Sequence, residues 1–441
     1  MSEENEMIRP NANAASDAPP NCAAAGLPSA AGVPSVAGVF GAVGPSTETP
    51  VARRRVLWTA SGAHALHDGY TDLIYVLLPV WQAEFALSYA ALGALRMLYT
   101  GAMASLQVPA SLLAGRIGAV TVLALGTALA GAAYLLIGLT GAGFTLLAAA
   151  LLAGGAGSAT QHPLASALVS RAYDQSGARV ALGTYNFAGD LGKMAIPATM
   201  AWLPVALPWR DALGLIGVLG LVAAIAIPLA LPRNAGRIAT PAATAAKGGA
   251  AVTHLRPPHR IAFPLLLTIG VIDSATRMGF LAFLPFVLKE KGAGLETIGL
   301  ALTLVFAGGA AGKLACGLLG ERLGVLRTVL LTECATALGI LALAPLPMVP
   351  ALGCLPLIGL ALNGTSSVLY GTVPELVAPD RREKAFGLFY TGTIGGGAVA
   401  PALYGLIGDA VGPASAMGVV AAICMVTVPL AIALNPFLRR T

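Results

Sequence analysis

His64, His67, Asp68 and Asp72 stand within nine residues of one another, inside an apolar stretch long enough to cross a lipid bilayer. On an α-helix they fall at i, i+3, i+4 and i+8, so the spacing predicts one shared face. Each ionisable group at the centre of a membrane-crossing helix costs roughly 2.5–3.5 kcal/mol on insertion scales. Four of them in so short a run need a polar cavity inside a helical bundle, which implies a solute pathway. An imidazole and a carboxylate one turn apart, as in His64 and Asp68, form a relay that titrates near neutrality. His162, just before Pro163, supplies a further imidazole from a later apolar stretch.

Other charges interrupt apolar runs in the same way: Arg96, Asp190, Lys193, Asp273, Arg277 and Lys313. Asp190 and Lys193 are spaced i, i+3, and Asp273 and Arg277 i, i+4, so each pair can close within its own helix. Asp190–Lys193 reads equally as a satisfied structural pair or as a substrate contact, Asp273–Arg277 rather more as a structural pair, and His162 could simply bond a neighbouring helix. Counting from the helix ends at about 1.5 Å per residue, His64–Asp68, His162, Asp190 and Lys193 lie roughly 12–20 Å deep, in one layer.

The elements that carry these groups are membrane helices. Of 441 residues, 56% are hydrophobic and only 10% charged, with a mean hydropathy of +0.79. Soluble domains carry about 25% charged residues. About 20 apolar residues span a bilayer, and twelve such segments are expected at about 56–83, 88–115, 119–140, 143–171, 179–206, 210–232, 261–288, 296–319, 325–345, 349–377, 384–410 and 413–438. The expected organisation is a disordered tail over 1–52, a six-helix bundle over 53–232, a basic linker over 233–260, and a second six-helix bundle over 261–441. The tail has neither the basic start nor the continuous apolar core of a signal peptide.

The net charge of +6 would suggest nucleic acid in a soluble protein, but its distribution gives topology instead. With the N-terminus in the cytoplasm, Arg53, Arg54, Arg55, Arg116, Arg171, Arg179 and the linker bases Arg233, Arg237, Lys247, Arg256 and Arg260 share the inner face. Arg322, Arg327, Arg381, Arg382, Lys384, Arg439 and Arg440 join them, against Arg210, Lys289 and Lys291 outside. Both termini are expected inside. The five cysteines have no metal or CxxC spacing, and four of them read as small core residues. Glu333 lies near the inner end of the ninth segment, where a loop arginine could pair with it.

The two halves repeat. The first segment ends Tyr75-Val-Leu-Leu-Pro79-Val-Trp81 and the seventh ends Phe280-Leu-Ala-Phe-Leu-Pro285-Phe286. Gly115-Arg116-Ile117-Gly118 follows the second segment, and Gly317…Glu321-Arg322-x-Gly324-x-x-Arg327 follows the eighth. Parallel halves suit a carrier whose site lies between them near mid-membrane. The run ending in Arg327 resembles the signature loop of the major facilitator superfamily, with Glu321 for the usual Asp; the copy at Arg116 lacks the acid. Three further stretches resemble the fosmidomycin-resistance branch: His64…Asp68…Pro79…Glu84-Phe85-x-Leu87-Ser88-Tyr89…Gly93, His162-Pro163, and Gly189-Asp190-Leu191-Gly192…Pro197. Asp190, where the branch tends to have an amide, and the charged Lys193 depart from it.

The resemblance implies an all-α membrane protein of twelve helices in two bundles, working as a proton-coupled exporter of drug-resistance type. His64, Asp68 and His162 are expected to couple protons. His67, Asp72, Arg96, Asp190, Lys193, Asp273, Arg277 and Lys313 are expected to meet a small polar or anionic substrate. Arg116, Glu321, Arg322 and Arg327 are expected to form a conformational latch. Uptake of an organic anion with protons is a second reading, and a non-transporting sensor a third. No Walker pattern, metal-ligand spacing or nucleophile–base constellation occurs, so no cofactor, metal or enzymatic activity is expected. The proton gradient is the energy source. The expected partners are the small molecule, protons and the lipid of an inner membrane, without nucleic acid and with the chain a monomer. A cysteine placed at Lys247 should escape an impermeant thiol reagent in intact cells and react after lysis; labelling in intact cells would reverse the topology.

Overall fold

The computed structural model describes residues 49–139, 143–173, 175–231, 260–378 and 381–438. Twelve helices succeed one another, and we number them α1 (Pro50–Phe85), α2 (Tyr89–Ile117), α3 (Ala119–Leu139), α4 (Phe144–Ala172), α5 (Gln175–Trp202) and α6 (Trp209–Ala230) in the first half. The second half holds α7 (Ala262–Glu290), α8 (Leu295–Leu323), α9 (Val325–Leu343), α10 (Met348–Leu376), α11 (Arg382–Val411) and α12, which runs as Pro413–Met425 and Thr427–Leu434. Nine of them are long and apolar enough to cross a membrane unaided; α1, α2 and α5 are the other three. The charges they carry, among them Asp68 and Asp72 on α1, Arg96 on α2 and Asp190 and Lys193 on α5, lower the hydropathy of their apolar windows. Helix begins at Pro50, with Thr49 capping it, so the last residues of the expected tail belong to α1. The rest of that tail, and the linker up to residue 259, lie outside the described residues.

Within each half the helices pack as expected of a repeat: α1 on α5, α2 on α4 and α3 on α6, then α7 on α11, α8 on α10 and α9 on α12. The loops after α2 and α8 confirm the repeat at the backbone. Gly118 and Gly324 cap these helices at φ +95° and +80°, a region that only glycine enters without steric cost. Close approach within a bundle depends on small residues where no hydrophobic drive exists between helices. At Gly192 on α5, an added Cβ would lie 1.9 Å from the Ala65 carbonyl oxygen of α1.

α4 is broken once. Phe144–Ser158 and Gln161–Ala172 are separated by a turn at Ala159-Thr160. Pro163 has no N–H to bond the carbonyl four residues back, and its ring crowds that turn. The break carries His162 at its start and turns it inward.

The two bundles meet chiefly through α2 against α11 and α5 against α8. Their cores show which end is shut. One apolar core runs across both bundles at one end, joining Leu73, Leu77 and Trp81 of α1 to Phe280, Phe283 and Val287 of α7. At the other end, where the described chain starts and stops, the core divides in two. Val56, Ala114, Leu168 and Ile227 belong to one bundle, and Leu266, Val329, Leu376 and Phe389 to the other. The interior is therefore closed at the far end and parted at the end bearing the termini.

A polar clasp fixes the closed end. Both carboxylate oxygens of Asp409, near the end of α11, accept hydrogen bonds from the first turn of α2: from Tyr89 N at 2.6 Å and from Ala90 N at 3.1 Å. These are orphan donors of a helix N-terminus, where negative charge is favoured. Beside it, an added Cβ on Gly93 would lie 2.2 Å from the Pro401 carbonyl oxygen, so the two backbones touch. We expect Asp409→Ala to loosen this closure. An impermeant thiol reagent added from the Asp409 side should then label a cysteine at Thr71 faster than in the unaltered background, and an unchanged rate would assign closure to the apolar core alone.

Candidate functional site

Between the bundles lies a cavity of about 950 Å³, large enough for a small organic solute. α1 lines it with His64, Asp68, Thr71 and Asp72, α2 with Arg96, α4 with His162, and α5 with Asp190 and Lys193. From the second bundle come Asp273 and Arg277 of α7, Lys313 of α8, Asn363 and Tyr370 of α10, and Tyr390 of α11. Its apolar share includes Met103, Met278, Leu281, Phe306 and Phe389.

Asp68 is the centre of the N-terminal wall. Its carboxylate stands 3.2 Å from His64 Nε2, 3.6 Å from His162 Nε2 and 3.2 Å from Lys193 Nζ. Three helices thus deliver imidazole, imidazole and ammonium to one carboxylate. Gly189 allows it: an added Cβ there would lie 2.6 Å from His64 Nε2 and 2.7 Å from Asp68 Oδ2. The His64 ring also lies against Tyr185, centroids 4.1 Å apart, and meets His162 edge-on at 5.1 Å. Its Nδ1 is buried and has no hydrogen-bond partner among the described residues, which costs about 1–3 kcal/mol.

His64, Asp68 and His162 also have the mutual distances of metal ligands, all three ligand atoms lying within 4.8 Å of one another. The Lys193 ammonium on the same carboxylate opposes a cation there, because like charges at such range repel strongly in a dry site.

Asp190 bridges the bundles. Lys313 Nζ donates to its two oxygens at 2.6 and 2.8 Å, from α8 to α5. Lys193 lies 3.8 Å from the same carboxylate, so the expected pair within α5 is present but secondary to the bond between bundles. Asp72 and Arg96 pair at 3.7 Å across α1 and α2. Arg96 also donates to Thr100 at 2.5 Å and lies over the Tyr75 ring at 4.8 Å.

Three expectations change. His67 does not line the cavity; its Nε2 lies 2.9 Å from Thr127 Oγ1 and its Nδ1 3.2 Å from Ser158 Oγ. At about 100° per residue, the one-residue step from His67 to Asp68 turns the ring away from the carboxylate's face and into the bundle. Asp273 and Arg277 form no ion pair with each other among the described residues, although both line the cavity. Asp273 instead contacts Glu333, and Glu333 is buried at mid-helix in α9, away from any loop arginine. Arg116, Glu321, Arg322 and Arg327 are exposed in this conformation. Asp409, which falls at the very end of the expected segment 384–410, gave no signal in the sequence for its role as a clasp.

A charge-lined cavity between two repeated bundles, closed at one end, defines a membrane transporter. The chain belongs to the Major Facilitator Superfamily, whose family model matches residues 60–272 and 266–440. The fold is similar to that of a bacterial homologue of the human lysosomal transporter Spinster in an inward-facing, occupied conformation. That match has a TM-score of 0.73 and 15% identity, and covers 89% of this chain and 98% of that one. The peptide transporter POT is similar at a TM-score of 0.71 and 13% identity, over 87% and 95% of the two chains. No curated protein matches the sequence.

Asp72 and Arg96 are both buried, and removing one partner of a buried pair strands the other's charge. We expect Asp72→Ala to lower stability in detergent by about 3 kcal/mol. The double change Asp72→Ala with Arg96→Met should recover most of it. A double variant no more stable than the single would mean that Arg96 is held by Tyr75 and Thr100 instead.

Proposed function

We propose that the protein is a proton-coupled secondary transporter of a small organic anion, and that export of drug-resistance type is its physiological direction. The observation that carries the coupling is the sharing of one buried carboxylate, Asp68, by two imidazoles and an ammonium. Such a group changes partners at little cost. When the cavity hydrates or a solute displaces Lys193, a proton on the imidazoles or on Asp68 can replace the ammonium as its counter-charge. His64 Nδ1, already lacking a partner, is a place for that proton to arrive.

The anionic character of the substrate follows from the charge pattern. Lys193 and Lys313 are engaged by Asp68 and Asp190, and Arg96 by Asp72. Arg277 faces the same cavity and closes no ion pair among the described residues. A guanidinium in that position suits a carboxylate, phosphate or phosphonate, which it can hold through two parallel hydrogen bonds. The methionine and phenylalanine walls opposite suit a short apolar body.

Export is supported by the resemblance of the His64–Gly93, His162-Pro163 and Gly189–Pro197 stretches to the fosmidomycin-resistance branch. The excess of basic residues at the termini end supports an inner-membrane orientation with that end, and the open side of the cavity, in the cytoplasm. A cargo would then enter from the cytoplasm and leave when the Asp409 clasp opens. The alternative is uptake of an organic anion with protons, and the sign of the gradient effect separates the two.

Everted vesicles with an imposed proton gradient, scanned with anionic compounds, test the reading. Asp68→Asn should abolish gradient-driven accumulation and leave counterflow exchange of substrate largely intact. Accumulation by Asp68→Asn at the unaltered level would remove Asp68 from the coupling site. Arg277→Gln should keep coupling and weaken apparent affinity by about tenfold to a hundredfold, the loss expected for a charge-assisted hydrogen bond. An unchanged affinity would place the anion elsewhere.

A further inference from the structure

We propose that Asp273 and Glu333 form a second proton-binding site, in the C-terminal bundle, which holds one proton between two carboxyl groups. The site goes beyond the coupling layer at Asp68 and shares no residue with it. Asp273 stands in the cavity wall on α7, and Glu333 lies behind it on α9, a helix that does not line the cavity. The two side chains are close enough to interact directly. They are 4% and 2% exposed, so water does not separate their charges.

The surroundings of Glu333 do not suit a carboxylate ion. Its Oε2 accepts from the Cys424 thiol at 3.1 Å and lies 3.3 Å from the Thr427 hydroxyl. The thiol is a weak donor. The Thr427 hydroxyl has a better acceptor in the Cys424 carbonyl at 2.6 Å. Thr365, the other hydroxyl within reach of Glu333, donates to Thr332 at 2.7 Å. No cation pairs with Glu333 among the described residues. An isolated ion in such a place costs several kcal/mol, and two adjacent carboxylates cannot both ionise there. A shared proton resolves both difficulties: the Glu333 carboxyl donates, and the Asp273 carboxylate accepts.

A second observation points the same way. The Thr276 hydroxyl, one turn beyond Asp273, is 1% exposed; it meets no partner at full hydrogen-bond geometry among the described residues and interacts only loosely with the Cys424 thiol beside it. An unmet hydroxyl at the edge of the pair can rotate to follow the proton as it moves between carboxyls.

The charged and titratable groups around the pair define its exit. Arg277, on α7 itself, acts on Asp273 from the cavity side. Tyr370 approaches from α10, Cys424 from α12, and Tyr404 of α11 lies beyond the cysteine. Among the described residues the cation that acts on the pair, Arg277, is on the cavity side, and Asp273 is the member of the pair that lines the cavity. A proton enters and leaves there, and Glu333 is its dry store.

Infrared spectroscopy of the full-length protein in lipid nanodiscs at neutral pH tests this without a substrate. The unaltered protein should show the C=O stretch of a protonated carboxyl that shifts on transfer to D2O. Glu333→Gln should remove that band, leaving Asp273 ionised beside Arg277. Asp273→Asn should keep the band, because Glu333 retains its proton, but move it as the acceptor changes. Thr427→Val, which deletes only one neighbouring hydroxyl, should move the band slightly and guards against misfolding of the Glu333 variant. Spectra of Glu333→Gln and Asp273→Asn that superimpose on the unaltered protein's would overturn the proposal. Asp68→Asn should leave the band in place, so failure of the coupling reading at Asp68 and failure of this site are separately visible.

Discussion

A carboxylate held in the middle of a membrane bundle must find its counter-charge in the protein, and the arrangement of this transporter follows from how Asp68 finds it. Its partners come from α1, α4 and α5, which fixes the mutual approach of those helices. Gly189 and Gly192 clear the space on α5, and the break before Pro163 delivers His162. Each of these local features would be a defect in an ordinary helix: glycines lose stability to backbone entropy, and a proline interrupts the hydrogen-bond ladder. They persist together because the charge at Asp68 is costlier unmatched than all of them.

The second constraint is that some of this matching crosses between the bundles. Asp190 on α5 holds Lys313 on α8, while Asp409 on α11 holds the first turn of α2. The first contact lies in the cavity wall and the second at the closed end. Alternating access requires the bundles to rock, so both contacts must change during the cycle. Lys193 lies within reach of both Asp68 and Asp190, and is positioned to follow whichever carboxylate loses its partner. Coupling of charge to motion needs no special relay beyond that exchange: whatever neutralises Asp68 alters what Lys193 does, and so alters the grip of α5 on α8.

Much of this was legible in the sequence. Twelve apolar segments, the two-fold repeat and the gathering of His64, Asp68 and His162 all follow from local composition and helical spacing, because membrane helices satisfy their own backbones and so reveal their lengths. Failures fell where a side chain's partner is distant along the chain. His67 shares a run with Asp68, yet its face was decided by Thr127 and Ser158, 60 and 91 residues away. The proximity of Asp273 to Arg277 suggested a pair within one helix, but Glu333 from α9 competes for the acid. Spacing within a helix shows which pairs can form, and packing between helices decides which do.

The division of charge between the bundles then takes on meaning. In the N-terminal bundle every cavity acid is matched by a base at ion-pair distance: Asp68 and Asp190 by lysines, Asp72 by Arg96. In the C-terminal bundle the match is incomplete. Arg277 faces the cavity without an ion-pair partner among the described residues, and Asp273 turns toward another acid instead. An anion on Arg277 would complete the charge balance of the C-terminal wall, and it would at the same time weaken the hold of that arginine on Asp273. A negative Asp273 is then less favoured, and a proton on the Asp273–Glu333 pair more so. By linkage the anion and that proton favour one another's binding, whichever way the cargo is driven. The N-terminal wall, with its exchangeable partners around Asp68, is free to respond to the opposite sign of charge. On the two proposals made above, one bundle would take up solute and proton together and the other would trade a proton for an internal ammonium, with the cross-bundle bond from Asp190 to Lys313 the contact between them.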